Sequence, residues 1–453
     1  MITRIKNNIS ILKRSNYNCL RSNFLLLGLL LSIMPITAQK TIMYQQDFVK
    51  IKDQQFFKKG EPYFFIGTNF WAGMNLGIAN NPDYRTRLIR ELDHLQTLGI
   101  NNLRIMAASE GPDTEPWRMV PALQPELGKY NEDLLKGLDF LLVEMAKRDM
   151  VAVLCLNNMW PWSGGFAQYV NWITGETIPY PPPAENGKWL KYMNFSARFF
   201  KNQEAQAAYL KHIEVIINRT NSISNIAYKE DPTIMSWQLA NEPRAIISHR
   251  AYRKWIKATA AFIKQLDPHH LVSIGSEGNA FVPFSSKFKK EHKVKGIDYA
   301  TMHIWIQNWG WYNPKRPVPT FHKSLTKAQK YIKKHIKLAS KLGMPVVLEE
   351  FGIARDMESY DPTSTTEYRD TYYKAIFEQI HQAAKTGSPI AGCNFWAWAG
   401  EGRPRTPKAV WKAGDEFIGD PPFEYQGWYS IYDTDASTLA IIQEYAKKMG
   451  QLK

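Results

Sequence analysis

The chain has 453 residues, 44% of them hydrophobic and 13% aromatic, with a formal net charge of +15 and only three cysteines. So few cysteines exclude a fold held together by a disulfide framework. The basic surplus would suit a nucleic acid or acidic polymer, but no arginine-rich stripe or nucleic-acid-binding module accompanies it, so no nucleic-acid partner is expected.

Residues 1–38 read as an export signal. Arg4, Lys6, Lys13, Arg14 and Arg21 form a basic stretch without acids, Phe24 to Ile33 is an apolar core, and Ile36-Thr-Ala38 is a suitable cleavage site. That core is short of the ~20 residues needed to span a bilayer, so no stable membrane insertion is expected after cleavage. Cys19 precedes the core, the wrong side for a lipid-anchored cysteine. The expected location is secreted or periplasmic. Removing the segment leaves 415 residues and a charge of +10, one domain over 39–453, with Cys155 and Cys393 expected as two buried thiols.

Phe48-Val-Lys-Ile51 and Gln55-Phe-Phe57, set around Lys58-Lys-Gly60, read as a short hairpin that could close the bottom of a barrel. Eight short apolar runs follow: Tyr63 to Thr68, Asn102 to Met106, Val151 to Leu156, Thr233 to Leu239, Leu271 to Gly275, Tyr299 to His303, Pro345 to Glu350, and Gly392 to Trp396. Amphipathic stretches alternate with them: Tyr84 to Leu98, Asn131 to Arg148, Gln203 to Arg219, His249 to Leu266, a weak one at Ser285 to Val294, Leu325 to Leu342, Glu367 to Lys385, and Ser437 to Lys448. Alternation of this kind predicts the α/β class, a (β/α)8 TIM barrel. A doubly wound open sheet competes, but Gly67-Thr-Asn-Phe-Trp-Ala-Gly73 lacks the phosphate-loop spacing that fold usually carries.

Polar and aromatic clusters follow the C-terminal ends of the strands, where such barrels build their sites. Trp71, Trp160, Trp162, Trp172, Trp305, Trp309, Trp311, Trp396 and Trp398 stand beside Gly, Asn or Pro or near strand ends. Aromatic faces stack on the apolar faces of sugar rings, so as a group they point to a carbohydrate groove.

Glu242 closes the fourth strand in Asn241-Glu-Pro243, and Glu350 the seventh in Leu348-Glu-Glu-Phe-Gly352. Two carboxyl groups facing one cavity are the apparatus of retaining glycoside hydrolysis. Glu242 suits the general acid/base and Glu350 the nucleophile. Arg104, inside the second strand, is the expected positive partner of Glu350, since an arginine there is costly to bury alone. Strand alternation should send Glu349 to the opposite face. Asn241 can donate to a sugar 2-hydroxyl, His303 can bond a carboxylate or substrate, and Trp396 can floor the site. No His or Cys spacing suggests a metal, and two-carboxylate hydrolysis needs no cofactor.

These residues carry a resemblance. Gly67-Thr-Asn-Phe-Trp71, Asn157-Asn-Met-Trp-Pro-Trp-Ser-Gly-Gly165, Gln168-Tyr-Val170, Asp231 to Arg244, Gly275-Ser-Glu-Gly278, Ile297 to His303, Leu348 to Gly352 and Phe395 to Trp398 together resemble glycoside hydrolase family 5, most of all its endo-β-1,4-mannanases. The resemblance implies Glu242 as acid/base and Glu350 as nucleophile, with Arg104, Asn241, His303 and Trp396 around them. It adds Arg244 on the leaving-group side, and Trp71, Asn158 and Trp160 among the substrate-binding residues. It implies action on mannan, glucomannan or galactomannan, and a monomer is expected. Many members have a Tyr two residues after the strand-six His, reaching the nucleophile; Trp305 stands here instead, and indole offers only an N–H. Exo-acting β-mannosidase and endo-β-1,4-glucanase are alternatives on the same barrel. Exo action would need a loop across one end of the groove, from Thr174 to Pro183 or Gly402 to Pro407. A non-catalytic carbohydrate-binding barrel is a reading of another class.

Overall fold

The computed structural model describes residues 48–279 and 287–452. The export-signal reading lies outside them, and no helix among the described residues is long and apolar enough to cross a membrane.

The chain opens with three short antiparallel strands, β1 (Lys50–Lys52), β2 (Gln55–Lys58) and β3 (Glu61–Pro62). The expected hairpin is present, extended by a third strand. Its turns fall at Asp53-Gln54 and Lys59-Gly60, all four residues with positive φ, as two-residue hairpin loops require. This small sheet lies under the barrel, where Phe56 meets Tyr299 edge to face at 5.3 Å. Val49, Phe56, Tyr63, Phe65, Val153, Met235 and Val347 share a small apolar cluster there.

The barrel follows in order: β4 (Phe65–Asn69), α1 (Gly73–Leu76), α2 (Pro82–Thr97), β5 (Asn102–Met106), α3 (Glu132–Lys147), β6 (Val151–Cys155), α4 (Gly165–Thr174), α5 (Trp189–Ala197), α6 (Gln203–Ile217), β7 (Ile234–Gln238), α7 (His249–Leu266) and β8 (Leu271–Ser273). Then come α8 (Phe288–His292), β9 (Ala300–Ile304), α9 (Pro317–Ser340), β10 (Val346–Phe351), α10 (Glu367–Lys385), β11 (Ile390–Phe395), the small parallel pair β12 (Trp398–Gly400) and β13 (Ile431–Tyr432), and α11 (Ala436–Gly450). Helix starts carry their own signals: the side chains of Asn81, Asn131 and Asn202 each accept from first-turn N–H groups, satisfying donors that a helix cannot pair internally.

The eight long strands are all parallel, in the order β8-β7-β6-β5-β4-β11-β10-β9. Its ends are consecutive in the chain, so the sheet curls round to a single seam. Hydrogen bonds stitch that seam: Val272 N–H to Asp298 Oδ2 at 2.7 Å, Asp298 N–H to Val272 O at 2.9 Å, and His303 N–H to Glu277 O at 3.0 Å. All eight expected strands are present within a residue or two, and the (β/α)8 architecture is borne out. Every strand is buried on both faces, as expected where helices cover the outside. The helical segments are longer than the periodicity implied at α9, which begins at Pro317. Cys155 and Cys393 are buried free thiols.

One expectation fails. Along β10 the register against β9 runs Leu348 with Met302 and then Glu350 with His303, skipping Glu349. The skipped residue marks a β-bulge, which re-aims side chains. Simple alternation is therefore broken, and Glu349 and Glu350 both face groups inside the barrel.

Candidate active site

The strand ends converge on a cavity of about 490 Å³. Glu242 sits just past β7 with φ 48°, a left-handed conformation costly for a residue with a Cβ. Its N–H is anchored to Gly275 O at 2.9 Å. Both carboxyl oxygens have partners: Oε1 lies 2.7 Å from His303 Nδ1, and Oε2 accepts the Trp160 indole N–H at 2.7 Å. Glu350, at the end of β10, accepts from Arg104 Nη1 at 2.5 Å and from Trp305 Nε1 at 3.2 Å.

Arg104 ties the floor together. Besides Glu350, its guanidinium donates to Asn69 Oδ1 at 3.0 Å, Gln238 Oε1 at 2.8 Å and Asn241 Oδ1 at 2.8 Å. Desolvation works against this charge, but the surrounding anionic groups outweigh it and hold the guanidinium firmly protonated. Asn241 in turn donates to Asn158 Oδ1 at 3.1 Å, so Asn158 positions Asn241 from outside the cavity lining. Glu349 lies one layer below, taking the Gln238 amide N–H at 2.8 Å and 2.9 Å.

His303 is the hinge of the electrostatics. Its Nδ1 is 2.7 Å from Glu242 and 3.3 Å from Glu350, and its Nε2 is 3.7 Å from Glu349. Burial opposes charging the ring, but three carboxylates around it prevail and lift its pKa well above the ordinary histidine range. The ring lies between the two cavity carboxylates.

Glu242, His303 and Glu350 each bring one ligand atom within 4.8 Å of the others, a spacing that a cation could use. The donor set argues otherwise. Arg104, Trp160 and Trp305 already aim N–H groups at these oxygens and His303 Nδ1 lies against Glu242, so the carboxylates are occupied by protein partners, among them a guanidinium.

Arg244 and Glu277 form a bidentate pair at 2.6 Å and 2.7 Å, and the guanidinium stands 4.6 Å from the Trp160 ring centroid. Trp396 lies across from Trp305, with centroids 5.6 Å apart. Of the tryptophans singled out from sequence, Trp160, Trp162, Trp305, Trp309 and Trp396 line the cavity, and Trp172, Trp311 and Trp398 are not among its lining residues. Trp71 is another departure. It is packed against Trp162 and Phe417 and donates to Gly419 O at 3.0 Å, which makes it part of the cavity's support.

Sequence reasoning missed Trp189, Phe423, Glu424, Tyr425 and Trp428, which also line the cavity. Trp189 opens α5, and the other four sit on the long irregular connection between β12 and β13, with no periodicity to reveal them. Glu277 was visible within Gly275-Ser-Glu-Gly278 but carried no assigned role. Burial, reinforced by Asp420, Glu350 and Glu242, raises the pKa of Glu424 well above the ordinary carboxyl range. Trp189, from α5, meets Phe423 at 5.3 Å, so the connections after β6 and after β12 touch in the cavity wall. The Thr174-to-Pro183 loop supplies Pro182 and Pro183 to the same wall, whereas Gly402 to Pro407 supplies none of the lining residues.

Residues 46–453 match the family model described as GH family 5 beta-mannosidase-like. The chain belongs to glycoside hydrolase family 5. It is a glycoside hydrolase, as the resemblance implied. Among solved structures, a family 5 mannosidase from Rhizomucor miehei is 41% identical, with a TM-score of 0.83 over 90% of this chain and 99% of that one. A variant from the same organism, solved with mannosyl-fructose, is 40% identical, with a TM-score of 0.83 over 90% and 98%. Among curated relatives, mannan endo-1,4-beta-mannosidase 4 of Solanum lycopersicum is 30% identical, covering 79% of this chain and 84% of its own length. The endo-1,4-beta-mannanase of Rhizomucor miehei, 22% identical with a TM-score of 0.65 over 89% of this chain and 99% of that one, shares the fold.

Proposed function

We propose that this hydrolase cleaves β-1,4-mannosidic bonds with retention of configuration, and that it works from chain ends, releasing short sugars from manno-oligosaccharides and mannan-type polysaccharides. Glu350 attacks the anomeric carbon while Glu242 protonates the departing oxygen. Water, deprotonated by Glu242, then releases the sugar from Glu350. Approach of a Glu242 oxygen and a Glu350 oxygen within 4.8 Å supports this route, since inverting enzymes hold their carboxyl groups about 6.5–9.5 Å apart to admit a water.

Each neighbour has a task in that scheme. Arg104 and the Trp305 N–H hold and aim the Glu350 carboxyl. His303, with Nδ1 2.7 Å from Glu242, orients the acid/base carboxyl toward the leaving group. Asn241, pinned by Arg104 and Asn158, can turn its remaining N–H to the 2-hydroxyl, and Trp396 floors the reacting sugar. No metal or other cofactor enters. Capture of the covalent intermediate by a sugar hydroxyl would give transglycosylation beside hydrolysis. We further propose export, by residues 1–38, to the periplasm or medium, and action as a monomer.

The contact between Trp189 and Phe423 in the cavity wall supports the chain-end reading, because a groove that threads an internal segment must be open at both ends. The relationship to mannan endo-1,4-beta-mannosidases favours internal cleavage as a second reading. Product analysis on linear mannan, galactomannan, glucomannan, manno-oligosaccharides and carboxymethyl-cellulose separates them. Mannose or one short product from the start supports chain-end action, and an early ladder of mixed lengths supports internal cleavage. Release from the cellulose derivative alone would make the enzyme a glucanase.

A further inference from the structure

Between residues 247 and 343 the chain carries 19 Lys and Arg against four acids, a surplus equal to the +15 of the whole chain. The four acids are all engaged: Asp267 with His270 and Trp237, Glu277 with Arg244, Asp298 with Lys264, and the buried Glu291 with the Lys287 backbone N–H. The surplus is therefore left to the surface of α7, α8 and α9.

On α9 it is ordered. Lys323, Lys327, Lys330, Lys334, Lys337 and Lys341 follow one another at intervals of four, three, four, three and four residues, and all six are exposed. That spacing keeps them on one face of the helix, a row about 27 Å long at 1.5 Å per residue. Among the described residues none of the six has a salt-bridge partner. Lys327 Nζ stands 5.5 Å from the Trp311 ring centroid. Six like charges along one line repel one another, and a linear polyanion relieves that repulsion.

We propose that the lysine row of α9 is a docking surface for a linear acidic polysaccharide of the polyuronate type, separate from the catalytic cavity. The opposite face of α9 is not free to enter a lipid surface, because Phe321, Ala328, Tyr331, Ile332 and Ala339 are buried against the barrel. Interfacial helices need that face. The row holds no arginine fork for phosphate and no exposed aromatic for stacking bases. Point charges on flexible stems fit a chain whose carboxylates recur without fixed sequence. α9 starts just past Asn308 and Trp309, which line the cavity, so a chain held along the row passes beside the cavity mouth.

The test uses the full mature protein, with polygalacturonate as the probe in affinity electrophoresis at about 20 mM and about 200 mM salt, conditions that differ severalfold in screening. A variant carrying Lys327→Gln, Lys330→Gln, Lys334→Gln and Lys337→Gln is compared with one carrying Arg at the same four positions. Retardation of the natural chain at low salt, lost at high salt, is expected. The Gln variant should bind about tenfold more weakly or worse with an unchanged Tm, and the Arg variant should retain binding. No retardation at low salt, equal binding by the Gln variant, or tighter binding to single-stranded DNA or phosphatidylglycerol vesicles than to polygalacturonate would overturn the proposal.

Discussion

Trp305 donates its indole N–H to Oε2 of Glu350 at 3.2 Å, so an indole supplies the contact for which the family resemblance leads one to expect a phenol. The ring is also wedged between Trp396 and Tyr429, at 5.6 Å and 5.3 Å, which fixes the N–H on the carboxylate. Trp305→Phe keeps the apolar ring and removes the donor. A hydrogen bond to a charged group contributes about 1.5–3 kcal/mol, so kcat/KM on an aryl β-mannoside should fall about 10- to 100-fold. A change within about twofold would mean that the contact does little.

Gly275 holds Glu242 through its carbonyl, and it does so at φ +79° with room for no side chain: a Cβ there would lie 2.0 Å from Ala240 O. Gly275→Ala must shift that backbone, and with it the anchor of Glu242. Calorimetry should find the variant about 2–4 kcal/mol less stable, and its kcat should fall well beyond what the unfolded fraction explains. An unaltered Tm would contradict the strain argument.

Trp189→Ala combined with Phe423→Ala removes the two rings that meet in the cavity wall. If that wall selects chain ends, the double variant should release longer products early from linear mannan, with the ratio of mannose to oligosaccharide falling severalfold. An unchanged product pattern would place the selection elsewhere.

Glu110 is buried and takes a single N–H, from Gly165 at 2.9 Å, while its Oε1 has no partner. Burial pushes its pKa from 4.5 up to about 8. The folded state therefore binds a proton that the unfolded chain releases above pH 4.5. Its contribution to stability is fully present below that pH and is lost as pH rises through about 8. Glu110→Gln is neutral throughout, so it should flatten the decline and exceed the natural chain in stability at pH 8 by about 1–3 kcal/mol. Parallel pH–stability curves would contradict this.

The barrel was legible because its strands are short, apolar and separated by amphipathic helices of ordinary length, so each element's local signal agrees with the fold. The site was legible where chemistry and strand end coincide: Glu242, Glu350, Arg104, Asn241 and His303 meet around one cavity. Failures have physical causes. The β-bulge at Glu349 depends on pairing with β9, which a single strand's alternation cannot foretell. Trp71 follows a strand as Trp396 does, yet neighbours from a distant connection, Phe417 and Gly419, draw it into packing. Phe423, Glu424 and Trp428 lie on an irregular connection whose course is set by tertiary contacts and not by periodicity.

The assignment of Glu350 as nucleophile is tested most directly by trapping it. Incubation with a 2-deoxy-2-fluoro-β-mannosyl fluoride, followed by peptide mass mapping, should find one fluoromannosyl adduct, on Glu350, forming as activity is lost. Arg104, Trp305 and His303 all converge on that carboxylate. Inactivation with label on another residue, or turnover with no adduct and inverted product, would contradict the double-displacement mechanism.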